Sequence, residues 1–134
     1  MSRLPPNELL SRCVMVDNPD EQEVEFPEGW MFMPDRCRAR WETSVILHGG
    51  QSVEELDNAG KYIERKRKSH PTFLGRCVCS VGDVESVDSL TVDPQPGPIS
   101  EFHANILGWS NDQSQQMLEA EKLAMRSTYV KRAS

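Results

Sequence analysis

No stretch of the chain approaches the ~18 consecutive apolar residues that a membrane-crossing helix needs. The opening residues, Met1-Ser2-Arg3-Leu4-Pro5-Pro6, lack the apolar run of a secretory signal. The expectation is therefore a cytoplasmic protein with no membrane partner. Cysteine is sparse, with four in 134 residues, and without an export signal these are expected as reduced thiols. Positive charge is in deficit: 15 Lys and Arg face 21 Asp and Glu, a net charge of −6. That balance argues against general nucleic-acid binding, which gains affinity by neutralising phosphates, although a local basic patch stays open. A phosphate-binding loop is also missing. Gly49-Gly50 stands just before a helix start at Ser52 but lacks the lysine and spacing of a P-loop, so a strand-to-helix turn accounts for it.

The usual C-x2-4-C metal knuckle is absent. Cys77 and Cys79 form a C-x-C pair, with Cys37, His48, His70 and His103 elsewhere. Zinc through Cys37, Cys77, Cys79 and His48 is the metal reading; the simpler one is no cofactor, with two small hydrophobes pointing to one face of a strand. A Cys–His nucleophile pair finds no local signature either.

What is present suits one domain spanning 1–134: 37% hydrophobic and 27% charged residues, at a length that removes roughly two-thirds of the unfolded surface from water. Pro5 to Leu10 reads as a helical turn leading into a strand at Cys13–Val16. Residues 17–29, acidic and broken by two prolines and a glycine, read as a loop. Trp30-Met31-Phe32-Met33 is an apolar plug, a short strand or an anchor. Arg36, Arg38 and Arg40 alternate with Cys37, Ala39 and Trp41 as one half-exposed strand with the arginines on a common face, continued by Thr43 to His48. Ser52 and Glu55 make a capping box for a helix over about 52–68, with Val53, Leu56, Gly60 and Ile63 on its apolar stripe and Lys66, Arg67 and Lys68 in its last turn. Leu74 to Val81 alternates as a strand, Ser80 caps a short turn, and Leu90 to Val92 is a brief strand. A Pro-rich loop covers 93–100. Phe102 to Trp109 is a strand, and a last helix is expected over about 112–128, with Met117, Ala120, Ala124, Leu118 and Met125 as its apolar side. This order predicts an α+β fold, a small mixed or antiparallel sheet packed with two main helices.

Val92-Asp93-Pro94-Gln95-Pro96, followed by Phe102-His103-Ala104-Asn105-Ile106-Leu107-Gly108 and a closing helix, resembles a family of small uncharacterised bacterial proteins in which a D-P-x-P segment precedes an H-A-x-I-x-G segment. The resemblance implies an accessory component of a multigene bacterial system, mobile or defence-related, and brings no catalytic residues with it. Here five residues, Gly97 to Glu101, join the two segments, and the acidic stretch near residue 20 departs from the pattern.

His103 either locks the Pro94–Pro98 loop by hydrogen bonding a carbonyl or acts in acid–base chemistry, with Asp93 as its orienting carboxylate in both cases. The basic cluster at 61–76 (Lys61, Arg65, Lys66, Arg67, Lys68, His70, Arg76) is a solvated helix face or a docking patch for an acidic partner. Only Tyr62 interleaves with it, so a single-strand stacking platform is not indicated. The sequence reading is a non-enzymatic protein-interaction module or accessory subunit, with Trp30, Phe32, Arg65, Lys66 and Arg67 as contact residues. The alternatives are a small hydrolase-like or metal-dependent enzyme built on His103, Asp93 and the cysteines, and a nucleic-acid-binding subunit using residues 61–76.

Overall fold

The structure, a computed structural model, describes residues 4–21, 23–97 and 100–133. Its strands are β1 (Leu9–Val16), β2 (Asp35–Cys37), β3 (Arg40–Leu47), β4 (Thr72–Ser80), β5 (Thr91–Pro94), β6 (His103–Leu107) and β7 (Thr128–Lys131). All pair antiparallel, in the order β5-β6-β3-β1-β4-β7, with β2 folded back on β3. With the helices α1 (Val53–Lys66), α2 (Val81–Glu85) and α3 (Gln113–Met125), this is the α+β fold expected.

Strand alternation sends Leu10, Val14, Val45, Cys77, Cys79 and Ile106 to one face, where they meet α2, α3 and a 3-10 turn at Gly29–Phe32 in the main core. The other face receives α1. Its capping box is formed: Glu55 N donates to Ser52 Oγ and Ser52 N to Glu55 Oε1, both at 3.1 Å. Leu56, Asp57 and Gly60 face inward. Gly60 is a contact requirement, because a Cβ there would stand 2.5 Å from the ring of the fully buried Phe73. Beside it Arg76 Nη1 donates to Asp57 Oδ1 at 3.0 Å, with side-chain exposures of 5% and 3%. The second Asp57 oxygen accepts from Ala133 N at 3.0 Å, so one carboxylate ties α1 to β4 and to the chain after β7.

Several expectations are corrected. Pro5 to Glu8 is a turn (Glu8 N to Pro5 O, 3.0 Å), and β1 already begins at Leu9. The alternating arginine stretch is a hairpin: Cys37 pairs with Arg40, and Arg38 takes φ 58° at the bend. The arginines therefore do not share one strand face; Arg36 lies over the Trp41 ring and Arg40 pairs with Glu42 at 3.0 Å. Val53 is 59% exposed, off the buried side of α1. The inner side of α3 also differs. Leu118 and Met125 are exposed, while Gln116 and Glu119 are buried and hold Ser110: its N and Oγ donate to the Glu119 carboxylate, and its O accepts from Gln116 Nε2. The Pro-rich segment is not wholly irregular, since Asp93 and Pro94 pair with Asn105 and Ala104 at the end of the edge strand β5. The helix placed to 128 ends at Met125, and β7 follows, hydrogen bonded along β4.

Removing one partner of a buried ion pair leaves the other charge uncompensated, so Asp57→Ala should lose about 3–5 kcal/mol of unfolding free energy. The double variant Asp57→Leu/Arg76→Met should recover most of it. Urea unfolding at neutral pH measures both, and a single-variant loss below about 1 kcal/mol would show that the pair does not hold α1.

Candidate functional site

The sheet is least continuous in its middle. β1 and β3 pair at only two positions, Leu10 with Leu47 and Ser11 with Ile46, and then part. The second rung carries a side-chain link, with Ser11 Oγ 2.6 Å from His48 Nε2. Burial, assisted by the Arg76 charge and opposed by Glu8, lowers the His48 pKa, which favours the neutral ring in this contact. Ser11 is 1% exposed, which makes the pair a clasp on the ladder.

Beyond this clasp Arg12 spans the opening. Its Nε donates to Met31 O at 3.0 Å and its Nη1 to Ser44 O at 2.9 Å. A cleft of about 820 Å³ opens there. Residues 11–15 form one lip and 44–46 the other, with Trp30 and Met31 toward the core. α1 supplies the wall through Glu55, Asn58, Ala59, Tyr62, Ile63 and Lys66, and Arg67 closes one end. The wall exists because the Asp57–Arg76 tie holds the opposite side of α1 over β4, leaving Ala59, Tyr62 and Ile63 toward the opening. Lys66 Nζ lies 5.6 Å from the centre of the Tyr62 ring, which places a cation over an aromatic face beside the cleft.

Of the sequence-predicted contact residues, Trp30, Lys66 and Arg67 line this cleft. Phe32 does not hold as a contact residue: it is 0% exposed and its side chain is committed to the core. Arg65 is exposed in the last turn of α1, away from the lining. His103 borders the cleft, and its Nδ1 lies 3.1 Å from Gln95 O, the loop-locking contact. Gln95 N returns a bond to His103 O at 2.9 Å. Asp93 does not orient this imidazole; it is hydrogen bonded by Gln95 Nε2. The D-P-x-P and H-A-x-I-x-G segments are thus paired neighbours, β5 and β6, with Ala104 and Ile106 fully buried. Gly108, at φ 91°, passes so close to Ser89 O that a Cβ would collide with it.

The zinc set is dispersed. Cys77 and Cys79 point into the main core, Cys37 is exposed on the β2–β3 hairpin, and His48 lies on the opposite face with Ser11. Among the described residues, no group of three or more His, Cys, Asp and Glu is placed to hold a metal ion. Among them too, no helix is long and apolar enough to cross a membrane. Sequence reasoning missed Ser11, Arg12, Asn58, Ala59, Tyr62 and Ile63 as parts of one site. One signal was there: Arg12 is the single charged residue in Leu9-Leu10-Ser11-Arg12-Cys13-Val14-Met15-Val16. No family model, curated protein or solved structure matches the chain.

Burial pushes the Cys13 and Cys79 thiols up to about 11 and Cys77 to about 12, from an ordinary 9.0. At about pH 7.5 a disulfide reagent should therefore modify exposed Cys37 rapidly, half-buried Cys13 far more slowly, and Cys77 and Cys79 only after unfolding. A second fast thiol in the native protein would contradict this placement. Because the folded values are raised, the stability linked to these protons is complete below the ordinary thiol value and drains as pH climbs toward 11–12. The urea midpoint should fall between about pH 8 and about pH 10.5, and a flat midpoint would count against buried, protonated thiols.

Proposed function

We propose that the chain is a non-enzymatic protein-interaction module, an accessory subunit that holds an extended segment of another protein in the cleft between α1 and the β1–β3 opening. The supporting observation is the cleft itself: about 820 Å³, with Met15, Ile46, Ala59 and Ile63 in its lining and Arg12, Lys66 and Arg67 as cations around it. Partner recognition of this kind combines apolar burial with a few placed polar groups. The lips suit an extended segment, because β1 and β3 are strands whose mutual pairing stops after two rungs and whose edges face the opening. The basic end of α1 gives electrostatic complementarity for an acidic stretch, acting chiefly on association rate and partner choice. This role also fits the accessory function in a bacterial defence or mobile-element system that the resemblance of residues 92–108 implies.

The test compares the wild type with Ala59→Trp, which fills the cleft from an accessible position on its wall. In affinity capture from the native host, with nuclease present, the wild type should retain a stoichiometric protein partner. The Ala59→Trp variant, checked for an unchanged circular dichroism spectrum, should lose about tenfold or more of it. Equal recovery by both proteins would overturn the cleft reading. Recovery of salt-sensitive nucleic acid alone, in a parallel capture without nuclease, would replace it with the nucleic-acid reading of residues 61–76.

A further inference from the structure

Arg12 stands in this cleft without a carboxylate in salt-bridge contact among the described residues. Two of its five N–H donors are held by main-chain carbonyls, Met31 O and Ser44 O, which fix the plane of the guanidinium across the opening. No ion pair among the described residues involves it. Burial holds Arg12 below the usual guanidinium range and the Arg67 charge acts in the same direction, while Cys13 and Asp35 work against it. The contrast with Arg76 is direct. That guanidinium, more deeply buried, has the Asp57 carboxylate at 3.0 Å. A half-buried cation fixed by two neutral acceptors and lining an open cleft is arranged to receive an anion from outside.

We propose that Arg12 is the specificity-determining residue of the cleft, and that it binds a carboxylate borne by an apolar peptide segment of the partner. This rests on the interaction-module reading and narrows it to an occupant. A carboxylate fits better than a polyanion for reasons already in the geometry. One planar guanidinium with donors still free of the main chain pairs with one planar carboxylate. The accessible apolar surroundings within the opening, Met15, Ile46, Ala59 and Ile63, suit apolar side chains. The chain's net charge of −6 repels a polyanion, whereas a single carboxylate next to Arg12, Lys66 and Arg67 meets locally positive potential.

The probes are a mixture of acetylated tetrapeptides built from Leu, Ile, Val and Phe with a free terminal carboxylate, and the same mixture amidated. Binding is followed by nitrogen-15 NMR on the full chain, with the Arg12 Nε–H resonance assigned by its loss in Arg12→Lys. The acid mixture should shift that resonance saturably, together with amides of α1, and the amidated mixture should bind about tenfold or more weakly. Arg12→Lys keeps a charge but not the fork, and should lose the preference for acid over amide. The assignment is overturned if acid and amide bind alike, if the acid leaves Arg12 unmoved, or if octanoate or an oligothymidylate binds more tightly than the peptide acids. The readouts separate the two proposals. Should Ala59→Trp still lose its captured partner while Arg12 ignores carboxylates, the cleft stands as the interaction site and Arg12 is only a structural brace.

Discussion

The contact on which the architecture of the site depends is the buried pair between Arg76 and Asp57. A helix with one modest apolar stripe has several ways to lie on a sheet, and hydrophobic contact alone discriminates weakly among them. A carboxylate that must satisfy a guanidinium on β4 with one oxygen and the Ala133 amide with the other has far fewer. Gly60 then allows α1 to come down onto Phe73, and the Glu64 carboxylate, accepting from Phe73 N at 2.7 Å and Arg132 Nη1 at 3.0 Å, fixes the next turn. With α1 committed to the β4 side, the β3–β6 side of the same face lies outside its cover, and the cleft is the space left between them.

How much of this was legible in the sequence follows from whether the deciding interaction was local. α1 was readable because Ser52, Glu55 and the terminal cations act within the helix they define, and the α2 cap at Ser80 and Asp83 is local in the same way. The β2–β3 hairpin was not, because period-2 alternation looks the same in one long strand and in two that meet at a tight bend. Arg38 gives no glycine or asparagine signal for its positive φ. The inner side of α3 was misread for a tertiary reason. Gln116 and Glu119 are inside because Ser110 needs partners there, and no helical periodicity in apolar residues reports that. β7 is legible as the β-forming run Thr128-Tyr129-Val130, although the helix expected over 112–128 covers its start.

The site shows the same division. Trp30, Lys66 and Arg67 could be singled out by residue type, yet their convergence with Arg12 depends on β1 and β3 parting after two rungs, a long-range event. The two motif segments at 92–108 prove to be neighbouring strands whose buried positions and one glycine answer to packing. His103, the residue that drew attention as a catalytic candidate, ties the loop between those strands to the sheet through both its ring and its main chain.

The end of β5 has a bearing on the solubility of the folded chain. An edge strand is ordinarily a template on which another copy can pair, and such pairing is how sheets propagate into fibres. Here the outermost strand finishes in Pro94, with Pro96 two residues on, so the row of amide hydrogens that a neighbouring strand would need is cut short at that end. The same prolines that shape the loop around His103 therefore act as a gatekeeper against aggregation along that edge.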